Sequence, residues 1–143
     1  MAYLQIQRDS IIHNVLLLKE FCGRSGISLC AVTKCCCSER EIIQLLLEQG
    51  ISSFADSNMS NFAGDFPSGN IRKNLIKTRL TDIREIARLP RAAVPERVFV
   101  SDETLLQALS ELPADICPDI VLIIEVGDLK EGFFPGEDRK SVV

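Results

Sequence analysis

Lys34 is the residue whose position most favours chemistry, because it directly follows the short, almost wholly apolar segment 28–33. A lysine at the end of a buried strand loses part of its hydration, which favours a neutral, nucleophilic amine that can form a Schiff base. A lysine there can equally extend its ammonium group into solvent, and composition alone favours this simpler interpretation. The sequence therefore makes Lys34 a candidate catalytic residue without fixing its role.

Three consecutive cysteines, Cys35, Cys36 and Cys37, follow this lysine. Adjacent residues of an extended chain point to opposite sides, so three in a row converge on one metal ion only across a sharp turn. The other three cysteines form no C-x-x-C pair, and the sequence has a single histidine. The sequence therefore offers few cysteine and histidine ligands at the spacing that a four-ligand zinc site requires. We interpret the three cysteines as small residues packed between a strand end and a helix. A reactive thiol beside Lys34, in a thiol-based regulator, is the alternative.

Composition and charge restrict the class of protein. The chain has 143 residues, enough for one domain with a core of its own. Its net charge of −4 disfavours nucleic acid as a partner, because phosphate binding requires a basic face. The opening residues lack the pattern of a secretory signal, and no apolar stretch reaches membrane-spanning length. We therefore expect a cytoplasmic protein that binds neither nucleic acid nor membrane.

The hydrophobic pattern predicts strands and helices in regular alternation. Strands are predicted at 3–7, 28–33, 51–55, 74–78, 97–100 and 119–127. Helices are predicted from a cap at Ser10 to Gly23, from a Ser38–Glu41 capping box to Gly50, at 81–89, and after a cap at Ser101 or Asp102. A further short helix is predicted to open at Ser57 or Asn58. The alternation predicts an α/β protein of parallel βα repeats.

Two architectures accommodate about five βα units: a doubly wound sheet and the first part of a (β/α)8 barrel. In both, functional residues collect at the carboxyl edge, where the strands end. The candidate site residues that follow strands are Lys34, Asp56, Ser57, Arg79 and Ser101.

Four segments carry a resemblance to a known family. "AVTK" (31–34) ends a strand, and "ADSNMSN" (55–61), "SDETLLQALSE" (101–111) and "EVGDLKEG" (125–132) follow in order. With the opening "YLQIQRDSIIHN", they resemble the N-terminal barrel domain of alanine-racemase-like, pyridoxal-phosphate-dependent enzymes, in particular the branch of ornithine racemases. The resemblance covers essentially all of residues 1–143 and implies a partial (β/α)8 (TIM) barrel.

The resemblance also implies roles for individual residues. Lys34 would form the Schiff base with pyridoxal 5'-phosphate and serve as one acid/base group at the α-carbon of an amino-acid substrate. Asp56, Ser57, Asn61, Arg79 and Ser101 would line the cofactor or substrate pocket. His13 would hold the first helix against neighbouring structure; a histidine simply packed in the core is the alternative, which we favour. The full-length family is implied to be homodimeric.

The resemblance further implies that the chain is incomplete at its C-terminal side. In the family, the phosphate-binding loops come from later strands and the second acid/base comes from a partner subunit. We therefore expect a racemase fragment that does not racemise alone. A non-catalytic pyridoxal-phosphate-binding domain and an interaction module that associates through exposed sheet edges are the alternatives.

Overall fold

The computed structural model describes residues 5–62, 66–67, 69–127 and 131–133. Helices and strands alternate along them as α1 (Arg8–Gly23), β1 (Ala31–Val32), α2 (Arg40–Glu48), β2 (Ser53–Asp56), β3 (Arg72–Leu75), α3 (Leu80–Ile86), β4 (Arg97–Val100), α4 (Glu103–Ser110) and β5 (Asp119–Leu122). Short 3-10 helices lie at Lys34–Cys36, Met59–Phe62 and Arg91–Ala93. None of the described helices is both long and apolar enough to cross a bilayer.

The five strands form one sheet in the order β1-β2-β3-β4-β5, and every neighbouring pair is parallel. A doubly wound sheet reverses its strand order at a switch point, whereas the wall of a (β/α)8 barrel keeps chain order. The sequential order therefore confirms the α/β prediction of parallel βα repeats and agrees with a partial TIM barrel rather than a doubly wound sheet.

The core lies between the sheet and its helices. Leu75 of β3 and Val98 and Val100 of β4 are fully buried on one face of the sheet. They pack in one cluster with residues of α3 and α4, among them Ile86 and Leu109. Complete burial of one such side chain contributes about 1.5–3 kcal/mol. This packing fixes the strands whose carboxyl ends carry the candidate site.

The packing and the C-terminal end of helix α2 follow from its local sequence. Ile43 and Leu46 pack against Phe54 of β2 in a second cluster. The helix ends in a Schellman motif: the Gly50 N–H donates to the Leu47 carbonyl at 2.8 Å and the Ile51 N–H to the Leu46 carbonyl at 3.0 Å. Gly50 has φ +77°, which glycine adopts without steric strain. The predicted end of this helix is confirmed.

Two predicted helix starts are wrong. Helix α2 begins after Glu39, and the described residues give it no side-chain cap, because Ser38 is buried in contacts with other elements. Helix α1 begins at Arg8, so Ser10 lies inside its first turn and donates to Gln7 Oε1 at 3.2 Å. Helix α4, by contrast, has the predicted cap, since Asp102 Oδ1 accepts from the Leu105 N–H at 3.0 Å.

Several strand boundaries differ from the prediction because pairing, not hydrophobicity, ends a strand. The strand predicted at 51–55 is displaced to β2 (Ser53–Asp56), and 97–100 is confirmed as β4. The segment 28–33 is a strand only at Ala31–Val32, and 119–127 only at Asp119–Leu122, which pairs with β4 up to Val100. Strand β3 begins earlier than the predicted 74–78 because Arg72 and Lys73 pair with β2, and it does not reach residue 78 because Lys77 adopts φ +57°, which is not an extended conformation.

Two predictions concern the N-terminal part of the chain. Of the predicted strand 3–7, residues 3 and 4 lie outside the described residues, and residues 5–7 are not a strand. His13 is exposed on α1 and is therefore not a packed core histidine. The reason is that α1 has no fully buried residue: Ile11 and Val15 are half-buried against the α2–β2 cluster, whereas His13 occupies an exposed position.

Candidate functional site

Lys34 lies where β1 ends and opens the 3-10 helix Lys34–Cys36. The Thr33 N–H just before it still donates to the Ala55 carbonyl at 2.9 Å, so the ladder with β2 continues up to the lysine. The Lys34 side chain is exposed, and with the described residues it makes no hydrogen bond or ion pair. A primary amine is thus available at the carboxyl edge of the sheet.

The turn that carries this lysine, residues 33–38, folds back on its first residue. The Thr33 carbonyl accepts from the Cys36 N–H at 3.0 Å and from the Ser38 N–H at 3.2 Å. Cys37 and Ser38 both have positive φ, 51° and 53°, although neither is glycine. Such left-handed residues cost about 1–2 kcal/mol each and persist where surrounding contacts hold them.

A buried chain of hydroxyl groups holds the end of this turn to β2. The oxygen atoms of Thr33 Oγ1 and Ser38 Oγ lie 2.8 Å apart, and Ser38 Oγ lies 3.1 Å from Asp56 Oδ2. The other carboxyl oxygen, Oδ1, accepts from the Asn58 N–H at 3.0 Å. Both oxygens of Asp56 are therefore used by the chain itself.

Asp56 and Ser57, the two candidates after β2, occupy different environments. Asp56 is 0% exposed, whereas Ser57 is half-buried. A carboxyl group with no exposed surface and hydrogen bonds on both oxygens has little freedom to contact a ligand directly. The geometry gives Asp56 contacts with the Lys34 turn, and it leaves Ser57 at the edge of the sheet.

Arg79 is exposed, and its side chain is hydrogen-bonded to Asp82 in the first turn of α3. Its Nε donates to Asp82 Oδ2 at 3.1 Å and its Nη2 to Asp82 Oδ1 at 3.0 Å. Its backbone N–H also donates to Asp82 Oδ2, at 2.8 Å, so the carboxyl group caps the helix. Hydrogen bonding to Asp82, together with its charge, raises the pKa of Arg79. The guanidinium group is therefore a permanent positive charge with a fixed orientation.

Asn61 and Ser101 are half-buried and lie on separate parts of the edge. Asn61 belongs to the 3-10 helix Met59–Phe62 and lines an open cleft of about 280 Å³. The other residues lining this cleft are Cys37, Ser38, Glu39, Arg40, Ser60 and Phe66. Ser101 follows β4 and precedes Asp102, the cap of α4.

The three consecutive thiols are not equivalent. Cys35 and Cys37 are exposed, and Cys36 is half-buried with its Sγ donating to the Thr33 carbonyl at 3.2 Å. Burial, and secondarily the neighbouring Cys35, raises the pKa of the Cys36 thiol. Within the described residues no three histidine, cysteine, aspartate or glutamate side chains come together as metal ligands.

The structure thus joins only some of the candidate residues. The Lys34 turn and Asp56 are linked by direct hydrogen bonds, whereas Arg79 and Ser101 share only the carboxyl edge with them. Sequence reasoning missed Thr33 and Ser38 as members of the site. Ser38 was interpreted as a helix cap because a serine three residues before a glutamate carries that signal. Its burial against Asp56 has no signal in the sequence.

Comparison with known proteins gives one finding at the level of the whole chain. The chain is 22% identical to an ornithine racemase of Acetoanaerobium sticklandii over 141 residues, which cover 96% of this chain and 38% of that protein. The chain thus spans less than two fifths of the length of the relative it matches. Neither a protein-family model nor a solved structure matches it. The chain is therefore distantly similar to a racemase, in a fold consistent with a partial TIM barrel.

Proposed function

We propose that this chain is part of a pyridoxal-phosphate-dependent amino-acid racemase, with Lys34 as the amine that binds the cofactor. One observation carries the proposal: the exposed Lys34 amine at the carboxyl end of β1, without a partner among the described residues, in a parallel sheet of sequential order. The distant similarity to an ornithine racemase supports it.

The residues present fit the aldehyde end of pyridoxal 5'-phosphate. An aldehyde needs a primary amine that solvent and cofactor can reach, and Lys34 is exposed at the edge where ligands of such folds bind. When bound, the cofactor supplies an electron sink for negative charge at the substrate α-carbon. Lys34 Nζ then takes and returns a proton on one face of that carbon.

Polar groups at the same edge orient the cofactor and the amino acid in this proposal. Ser57, Asn61 and Ser101 are half-buried and offer hydroxyl and amide groups. Arg79 can also contribute, since a guanidinium group has five N–H donors and Asp82 uses two of them. The remaining N–H donors suit the phosphate or the substrate carboxylate.

Asp56 has a supporting role in this proposal, because its carboxyl group is fully buried. The substrate class is an amino acid, for which ornithine is one candidate, given the name of the similar protein. We also propose that the functional protein is a homodimer in which a partner subunit supplies the second acid/base group.

A second candidate is a domain that binds pyridoxal phosphate without turnover. Exposure of β5 favours it, because no helix among the described residues covers β5 on the face where β4 is covered. Val98 and Val100 are fully buried there, whereas their partners in the parallel register, Ile120 and Leu122, are 41% and 50% exposed. The Lys34 amine at the carboxyl edge is also exposed, and an exposed site suits binding better than carbanion chemistry that requires protection from water.

Labelling of the lysines tests cofactor binding. The chain is incubated with pyridoxal 5'-phosphate and reduced with borohydride, and the modified peptides are mapped by mass spectrometry. We expect selective modification of Lys34 and its loss in Lys34→Arg, because arginine keeps the charge but offers no nucleophilic amine. Lys77, an exposed lysine just after β3, provides the matched control, and Lys77→Arg is expected to leave Lys34 labelling unchanged. Equal labelling of Lys34 and Lys77 would contradict the proposal.

A further inference from the structure

We infer that Asp56 is a positioning residue that holds Lys34 in place through Ser38 and Thr33. This inference rests on the proposed role of Lys34 and assigns the control of its placement to a buried residue of a different strand. Asp56 ends β2, and the turn 33–38 follows β1, so the contact joins two neighbouring strand ends. The following observations carry it.

Burial leaves Asp56 little freedom for the simplest role, which is direct contact with a ligand. The residue has 0% exposure, and Thr33 and Ser38 are also buried, at 2% and 9%. A buried carboxyl group is tolerated only where its oxygens accept hydrogen bonds. Here the donors come from the chain, namely the Ser38 hydroxyl on Oδ2 and the Asn58 N–H on Oδ1.

The distances favour one direction for the hydrogen bonds of this chain. Each hydroxyl group has one proton to donate. If Ser38 donates to Asp56 Oδ2, its oxygen is free to accept from Thr33 Oγ1, 2.8 Å away. Thr33 Oγ1 also lies 3.4 Å from the Ala55 carbonyl and 3.5 Å from Asp56 Oδ2, and both distances are longer than its 2.8 Å contact with Ser38. The chain therefore runs from Thr33 to Ser38 to Asp56, and the carboxyl group is its terminal acceptor.

The backbone of the turn requires such an anchor. Cys37 and Ser38 occupy the left-handed region in succession, at φ 51° and 53°, without being glycine. A strained pair relaxes unless neighbouring contacts hold it, and Ser38 is held by its side chain. Lys34 lies in the same turn, so relaxation of Ser38 would displace the segment that positions the lysine against the sheet.

The test separates positioning from mere stability. Amide hydrogen exchange is measured at residues 34–39 in Asp56→Asn, which keeps the shape of the side chain but turns one acceptor into a donor. Thr33→Val removes the first hydroxyl group, and Thr33→Ser keeps it as the conservative rescue. Asp82→Asn is the matched control, because Asp82 is likewise a buried aspartate, 3% exposed, that caps another element.

We expect exchange in the turn to accelerate by about tenfold or more in Asp56→Asn, since a buried hydrogen bond to a charged or polar group is lost. Thr33→Val should accelerate it less, and Thr33→Ser should restore it. Selective capture of Lys34 by pyridoxal phosphate, relative to Lys77, should fall in the same order. Acetylation of Lys34 by a small activated ester should not change, because the amine stays exposed.

Asp82→Asn should leave exchange in the turn unchanged; the capture ratio is not compared in this variant, because Asp82 orients Arg79, which is proposed to contact the cofactor. Unchanged exchange in both Asp56→Asn and Thr33→Val would overturn the inference, as would an equal effect of Asp82→Asn. Failure of the proposed function is a separate outcome: the parent chain would then show no selective capture of Lys34, while the exchange experiment would still report whether Asp56 anchors the turn.

Discussion

At the scale of single residues, the sequence predicts the position of a residue at the end of a strand. It does not predict side-chain contacts that form only when a turn brings distant residues together. Lys34 is predictable as a strand-end lysine, because the apolar segment before it is short and continuous. The role of Ser38 is not, since it requires a positive φ at two residues and a contact with Asp56, 18 residues away in the sequence. Serine occurs both at helix caps and in buried turns. The Ser38–Glu41 pattern therefore indicates a cap at the start of α2, whereas in the structure the Ser38 hydroxyl contacts Asp56.

The three adjacent thiols give a prediction at this scale. Burial raises the pKa of Cys36, so its thiol stays protonated to higher pH and supplies less of the nucleophilic thiolate. We expect iodoacetamide near pH 8 to modify the exposed Cys35 and Cys37 before Cys36, as read from fragment-ion mass spectrometry. The relative rate at Cys36 should increase as pH is raised. The chain unfolded in urea serves as the control, and a preference that survives unfolding would show that burial is not its cause.

At the scale of elements, a helix end that is marked by glycine is predicted well, whereas strand ends are predicted poorly. The end of α2 at Gly50 is visible in the sequence because glycine is the residue that accepts the left-handed position of a Schellman motif. The end of β5 at Leu122 is not, because the apolar run continues to Ile124 while the partner strand β4 stops at Val100. Pairing across the sheet is information that one strand does not contain.

The α2 cap leads to a prediction of stability. Gly50→Ala is expected to lower the free energy of unfolding by about 1 kcal/mol, because φ +77° is strained for alanine. The new Cβ would also lie 2.7 Å from Lys19 Nζ, which must move and release its hydrogen bond to the Gln49 carbonyl. Urea denaturation measures the change.

Gly23→Ala is the matched control for this change. Gly23 ends α1 without a positive φ, and no atom lies within 4 Å of an added Cβ. It should therefore be neutral or stabilise the chain by up to about 1 kcal/mol. Equal destabilisation by both substitutions would contradict the account of the α2 end.

At the scale of the whole molecule, strand order was open from the sequence and is settled by the structure. Even spacing of βα units fits a doubly wound sheet and a barrel equally, and only the sequential order β1 to β5 favours the barrel wall. The described sheet has two edges, and apolar side chains at both, including Val32 and Leu122, are 50% exposed. The exposed Lys34 side chain lies at the carboxyl end of one of these edge strands, β1.

The most direct test of the account is therefore hydrogen exchange at the α-carbon of an amino acid. L-ornithine and L-alanine are incubated with the chain and pyridoxal phosphate in D2O, and NMR follows loss of the α-proton while chiral chromatography follows inversion. We predict exchange above the free-cofactor rate, abolished in Lys34→Arg and kept in Lys77→Arg, with inversion slower than exchange because one base acts on one face. Exchange no faster than in Lys34→Arg would contradict the central claim, and inversion as fast as exchange would contradict the single acid/base.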